Sequence, residues 1–356
     1  METPTESIDT NGFTVDDDAV AWNAGRIENS AFVRTIYGFI AFSGITGNAL
    51  VCFVLLRIPS LRTRTSQFII NLAINDLVTA VFVIPLHLFP NFPPAPSGFA
   101  GQLYCRLFIS KSLLWASIVA SGFSLIAVTT ERYFAVVHPV RYKFYFTTRL
   151  TIIFVVACWV ISLILASYHM ASFAPSNGIC VFVPLRSPVN SMILGVFIFM
   201  IMYALPIITN LVLQTLAIIA LRKQAKSMGS GDAQAGGETG IKKDQWQLRA
   251  AAEMQKTLLI VVLVYALCWG PNHFLFLAFT FGAPIDFASQ YYHFTVIIAL
   301  FNSCVNPFIY VFKNKAFRRG VRQALLPGGT TVHPMGLGSG TGTGGTSDRG
   351  TGSTNV

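Results

Sequence analysis

The chain has 356 residues, of which 53% are hydrophobic and only 11% charged, with a mean hydropathy of +0.59. A water-soluble domain carries roughly 25% charged residues, so this composition excludes an ordinary soluble protein and points to a bilayer. The net charge of +10 is distributed one-sidedly along the chain, so it implies no nucleic-acid partner.

The chain opens on an acidic, polar head, residues 1–31, with Glu2, Glu6, Asp9, Asp16, Asp17, Asp18 and Glu28. It has no basic start followed by an apolar core, so no cleavable leader is expected and the first span is expected to direct insertion. A helix needs about 20 mostly apolar residues to cross the hydrocarbon of a bilayer. Seven stretches qualify, at 32–56, 67–89, 104–130, 150–171, 191–221, 256–281 and 290–312. The connections are short, which predicts one all-α bundle over residues 32–325. Lysine and arginine orient it. They gather in the first connection (Arg57, Arg62, Arg64), the third (Arg141, Lys143, Arg149), the fifth (Arg222, Lys223, Lys226, Lys242, Lys243, Arg249) and after the last span (Lys313, Lys315, Arg318, Arg319, Arg322). The other side has few, among them Arg26 and Arg186. The head is therefore expected outside and the C-terminus in the cytoplasm. Residues 228–240 read as a flexible linker. Phe312, Phe317, Val321 and Leu325 recur at near-helical spacing among basic residues, predicting an amphipathic helix on the inner membrane face. Residues 326–356, rich in Gly, Ser and Thr, read as a disordered tail.

Polar residues inside the spans carry the functional signal, because a charge in hydrocarbon must face a cavity, a partner or a cation. Asp76 lies mid-way along the second span, with Asn48 in the first and Ser121 in the third. Asn302, Asn306 and Tyr310 follow at intervals of four in the seventh, on one helix face. Two readings stay open for this set. One is a water-filled pocket holding Na⁺, whose preference is for oxygen ligands. The other is interhelical hydrogen bonding that glues the bundle. Pro206, Pro271 and Pro307 fall inside the fifth, sixth and seventh spans and should bend them. The third span closes on Glu131-Arg132-Tyr133, opposite charges where hydrocarbon meets water. At the other end of the bundle, His87, Lys111, Trp115, Trp269, Asn272, His273, Phe276 and Tyr292 form a candidate ligand pocket, aromatic with few polar anchors. Tyr291 and His293 read as belt residues at the membrane interface.

In order, the chain holds Gly47-Asn48, Leu72-Ala73-x-x-Asp76, Cys105, Glu131-Arg132-Tyr133, Trp159, Pro206, Cys268-Trp269-Gly270-Pro271, Asn306-Pro307-Phe308-Ile309-Tyr310 and the helix ending at Leu325. Together these resemble the rhodopsin-like (class A) family of G-protein-coupled receptors, over about residues 32–325. The resemblance implies a plasma-membrane bundle of seven helices with a short eighth. It would bind an extracellular ligand and activate a heterotrimeric G protein, without being an enzyme. It also implies roles for single residues. Arg132 is held by Glu131 at rest and engages the G protein when active. Asp76, Ser121, Asn302 and Asn306, with Asn48 nearby, hold Na⁺ in the inactive state. Trp269 senses ligand, Tyr310 swings inward, and Cys105 pairs with Cys180. No other cofactor is implied.

Some positions depart from the family pattern. Cys105 to Arg132 is about two residues longer than usual, so the outer end of the third helix should bulge or start earlier. Gln214 replaces a common tyrosine, Tyr265 a common phenylalanine, and Ala251 stands where some members place an acid opposite the arginine. A weak inner latch and appreciable basal activity are the expectation. Leu114 and Leu300 occupy the places of the amine-receptor aspartate and the opsin lysine, which speaks against an amine ligand and against retinal. A peptide ligand is expected, with a lipid or other small carboxylate as the alternative. The tail hydroxyls from Ser339 to Thr354 would accept phosphate from a receptor kinase and recruit arrestin. The terminal Ser353-Thr354-Asn355-Val356 resembles a PDZ ligand. A transporter is the competing class, although the two halves show no evident repeat. An intramembrane hydrolase lacks Gly-x-Ser-x-Gly and His-Glu-x-x-His.

Overall fold

The computed structural model describes residues 30–89, 92–183, 187–230, 238–286 and 289–325, with only the backbone of 228–230 and 238–244. The expectations for the acidic head, the tail phosphate acceptors and Val356 lie outside the described residues, as do Arg26, Arg186 and the side chains of Lys242 and Lys243. Seven helices among the described residues are long and apolar enough to cross a membrane: Ala31–Arg57, Arg64–Leu88, Gly98–Val137, Thr148–Ala171, Pro188–Ser227, Gln245–Thr280 and Gln290–Lys313. Four begin on a hydroxyl side chain that accepts a first-turn backbone N–H: Thr63, Thr147, Ser187 and Ser289. Such caps replace hydrogen bonds that a helix start cannot make internally.

The third span is the axis of the bundle and packs on the second, fourth and fifth. Of its apolar window 72% is buried, against 22% in the fourth span. The fourth is correspondingly apolar around its whole circumference, with Ile152, Val156, Val160 and Ile164 exposed, as a lipid-facing helix must be.

Helical geometry breaks where the sequence is irregular. The third span turns through a π-helical segment, Tyr104–Ile109, and restarts at Ser112 after Lys111, which lies in the left-handed region at φ 56° and ψ 27°. The extra residues before Arg132 are taken up here. The fifth span carries a π turn, Met200–Ala204, ending two residues before Pro206. Another, Ile84–Leu88, contains Pro85. Pro271 and Pro307 lie within the sixth and seventh helices.

Between the fourth and fifth spans, β1 (Phe173–Ser176) and β2 (Ile179–Phe182) form an antiparallel hairpin. Its turn is Asn177-Gly178, at φ 48° and 79°, as the two-residue hairpin turn that needs positive φ at both positions prefers. Cys180 on β2 is disulfide-bonded to Cys105, with Cα atoms 5.4 Å apart, and the Ala95 N–H donates to the Gly178 carbonyl at 2.7 Å.

Two boundaries differ from the sequence reading. The helices on either side of the linker run to Ser230 and from Glu238, so helix invades both ends of the stretch expected to be flexible. The amphipathic helix starts at Lys315; Phe312 belongs to the seventh span and is exposed. What seats that helix is Phe317, buried, and Gly320, where a Cβ would lie 2.5 Å from Leu61.

Candidate functional site

At the end of the third span Glu131 is fully buried and takes four hydrogen bonds on its two oxygens. Arg132 donates from Nε to Oε2 and from Nη2 to Oε1, both at 2.6 Å. Thr65 of the second span donates to Oε2 at 2.9 Å, and Tyr142 donates to Oε1 at 2.6 Å. Tyr142 lies in a short helix, Pro139–Tyr145, just after the span. Burial, and the carboxylate that accepts its proton, push the Tyr142 hydroxyl up to about 12. The two bonds from Arg132 hold its guanidinium in a bidentate grip. No acid of the sixth span pairs with Arg132 among the described residues; Ala251 packs against the cluster of Val136, Ala217 and Leu221, and Glu253 is exposed. One turn beyond Arg132, a cavity of about 520 Å³ opens between Val136, Pro139, Leu221, Gln224, Leu248 and Ala251.

Nearer the bundle centre, Asp76 is fully buried. Ser121 donates to its Oδ1 at 2.9 Å and Asn306 to its Oδ2 at 2.8 Å. Asn48 is turned instead to backbone, donating to the Gly44 and Ser303 carbonyls at 2.9 and 2.8 Å. Asn302 is buried beside them, and neither its Oδ1 nor that of Asn306 has a hydrogen-bond partner. The Tyr310 hydroxyl and the Trp269 Nε1 are likewise buried without a partner. The bonds to Asp76 tie the second, third and seventh spans, and a second ladder ties the second to the third and fourth: Asn71 and Asn75 donate to Ser124 at 2.6 and 2.9 Å and Trp159 donates to Asn71 at 3.2 Å.

At the Cys105 end the expected pocket residues divide into two groups. The left-handed turn brings the buried Lys111 ammonium within 3.5 Å of His87 Nε2, and His87 stacks on Tyr37 at 4.6 Å. Lys111 also borders a small apolar cavity of about 70 Å³ with Phe82, Leu86 and Leu114. The second group is an aromatic run. Trp115 lies 6.4 Å from Trp269, and Trp269 lies edge-on to His273 at 5.6 Å. Asn272 donates to Thr295 at 3.3 Å. Phe276 packs to one side, on Val119, Ile198 and Met202. Tyr292 lies edge-on to His293. His293 is itself buried, which corrects the belt reading for that residue; Tyr291, half exposed, keeps it.

Sequence reasoning missed Thr65, Tyr142, His169 and Tyr203. His169 stacks flat on Trp115 at 4.8 Å, and Tyr203 stacks on His273 at 5.1 Å. No periodicity singles these out; their roles come from neighbours on other helices.

Comparison with known proteins agrees with this geometry. The family described as 7 transmembrane receptor (rhodopsin family) matches residues 47–310. The chain is 27% identical over 321 residues to somatostatin receptor type 4 of Rattus norvegicus, covering 87% of this chain and 77% of that protein. It is 30% identical over 299 residues to galanin receptor type 1 of Homo sapiens, covering 82% and 80%. It is 26% identical over 317 residues to the allatostatin-A receptor of Bombyx mori, covering 83% and 80%. A multi-pass bundle with a paired arginine at one end, and a match across most of its length, leaves no place for the transporter or hydrolase readings: the chain belongs to the rhodopsin family of seven-transmembrane, G-protein-coupled receptors and is not an enzyme.

Proposed function

We propose that this receptor binds a peptide at its Cys105 end, outside the cell, and that its Arg132 end faces the cytoplasm and drives nucleotide exchange on a heterotrimeric G protein. The relatives are receptors named for the peptides somatostatin, galanin and allatostatin-A. Exposed Arg62, Arg141, Lys143, Arg222 and Lys223 sit at the Arg132 end, the side that should stay in the cytoplasm. A peptide binding at the Cys105 end would shift the bundle only by its differential affinity for two states. In the second state Arg132 leaves Glu131, and the cavity beside Val136 and Leu221 widens for the G protein. The buried Lys111 beside His87 gives the small-carboxylate alternative its one support.

Na⁺ fits the Asp76 layer. One buried carboxylate, the Ser121 hydroxyl and the amide oxygens of Asn302 and Asn306 are hard oxygen donors, and the two amide oxygens have no competing protein donor. Asp76, Ser121, Asn302 and Asn306 would hold the ion and so favour the resting state. Tail phosphorylation, arrestin recruitment and PDZ binding at Val356 complete the proposal.

The observation that carries this reading is the buried Glu131–Arg132 pair beside the cavity between the third, fifth and sixth spans. The test is binding of a non-hydrolysable GTP analogue to membranes carrying the receptor and a G protein. Wild type should exceed Arg132→Ala at equal surface expression; equal exchange would reject the coupling role of Arg132.

A further inference from the structure

The fifth and sixth spans are joined by two tyrosines that reach across in opposite directions. Tyr265 of the sixth donates to the Met202 carbonyl of the fifth at 2.8 Å. Tyr203 of the fifth donates to the Ala266 carbonyl of the sixth at 3.1 Å. Met202 and Tyr203 lie in the π turn Met200–Ala204. In a regular helix the donor for the Met202 carbonyl would be the residue four on. That residue is Pro206, which has no N–H. A π register assigns Ile207 to that carbonyl instead, and the Tyr265 hydroxyl gives it a donor from the sixth span.

Both hydroxyls need room that only glycine leaves. A Cβ on Gly122 of the third span would lie 2.9 Å from the Tyr265 hydroxyl oxygen, yet 3.5 Å and 3.7 Å from the nearest ring carbons. A Cβ on Gly270 would lie 2.8 Å from the Tyr203 hydroxyl oxygen, with the nearest ring carbon at 3.7 Å. In each case only the hydroxyl is too close for an added methyl. Tyr265 is buried one turn from Trp269, and Tyr203 stacks on His273. The pair thus lies directly under the aromatic run of the proposed ligand pocket.

We infer that Tyr265 and Tyr203 are positioning residues, a reciprocal clasp that holds the fifth and sixth spans together in the resting state, with Gly122 and Gly270 as their seats. The clasp takes the place of an ionic latch on Arg132, which no described acid of the sixth span provides. Ligand that displaces His273 shifts Tyr203 with it, opens one of the two hydrogen bonds and lowers the cost of opening the other. This rests on the proposed exchange activity, so the test has an arm that contains no G protein.

Tyr265→Phe keeps the ring and removes the hydroxyl. Ligand-free binding of a GTP analogue should rise by about fivefold, the ratio one buried neutral hydrogen bond typically sustains. Gly122→Ala should raise it comparably by displacing the hydroxyl, and should add nothing in the Tyr265→Phe background, where no hydroxyl remains to displace. Equal effects of Gly122→Ala in both backgrounds would mean general packing damage and would overturn the clasp. In the second arm, spin labels at Lys143→Cys and Arg249→Cys report the separation of the short helix Pro139–Tyr145, which follows the third span, from the sixth span in purified receptor. Tyr265→Phe and Gly122→Ala should each populate a longer distance. An unchanged distribution in both overturns the clasp whatever the exchange assay gives. A lengthened distribution with no exchange in any variant supports the clasp and counts against the signalling reading instead.

Discussion

Two clusters in this receptor are each built around one buried carboxylate, and they are finished to different degrees. At Glu131 every acceptor site is used: two donors from Arg132, one from Thr65 and one from Tyr142. At Asp76 two donors are in place, while the amide oxygens of Asn302 and Asn306 and the Tyr310 hydroxyl have none. A buried polar atom without a partner costs about 1–3 kcal/mol, so the two clusters differ in how fully the protein itself satisfies such atoms. The Glu131 cluster is a fully hydrogen-bonded seat for the arginine. The Asp76 layer keeps amide oxygens to which no protein group donates, the ligands that the proposed Na⁺ would use.

The comparison breaks most visibly at Asp76. Asp76→Asn removes the charge that would hold Na⁺, so the effect of Na⁺ on ligand affinity, expected to be about 5- to 150-fold for an allosteric coupling, should vanish. The measurement is competition binding with and without NaCl at constant ionic strength; a retained Na⁺ effect rejects the ion site. Glu131→Gln should release Arg132 and raise ligand-free exchange by roughly tenfold, since hydrogen bonds to a charged partner contribute about 1.5–3 kcal/mol. Basal exchange equal to wild type would show that Glu131 is not the restraint. Tyr142→Phe removes one of four donors and should raise basal exchange about fivefold. No change would reduce Tyr142 to a bystander.

Tyr142 also makes a prediction in pH. Its hydroxyl titrates at about 12 in the folded chain instead of 10.0. A raised folded value means that the neutral hydroxyl's contribution is whole below about pH 10 and is lost as pH rises through about 12. The difference in thermal stability between wild type and Tyr142→Phe should therefore stay constant from about pH 7 to pH 9, and a decline within that range would contradict the buried hydrogen bond. Thr65→Val is the smallest expected change, about two- to threefold in basal exchange, because the remaining three donors still satisfy the carboxylate.

Much of the bundle was legible in the sequence because hydrocarbon imposes a simple rule, that backbone groups must be satisfied within the helix and side chains facing lipid must be apolar. The same rule made Asp76 and Glu131 conspicuous. The hairpin was legible too, in Asn177-Gly178, but passed unread. The helical ends of the linker, at Ser230 and Glu238, were hidden by a Gly-rich composition that favours coil.

The chain by itself determined the number of spans, the acid–arginine pair, the prolines within the spans and the place where the third helix had to absorb extra residues. All of these follow from local composition and from charges that hydrocarbon penalises wherever they fall. Only tertiary structure decided that Lys111 turns inward beside His87, that Asn48 serves backbone and not Asp76, that Tyr142 donates to Glu131, and that Tyr265 donates to the Met202 carbonyl. Each of these joins residues on different helices. Their partners are chosen by how the spans cross, which no local pattern in the sequence encodes.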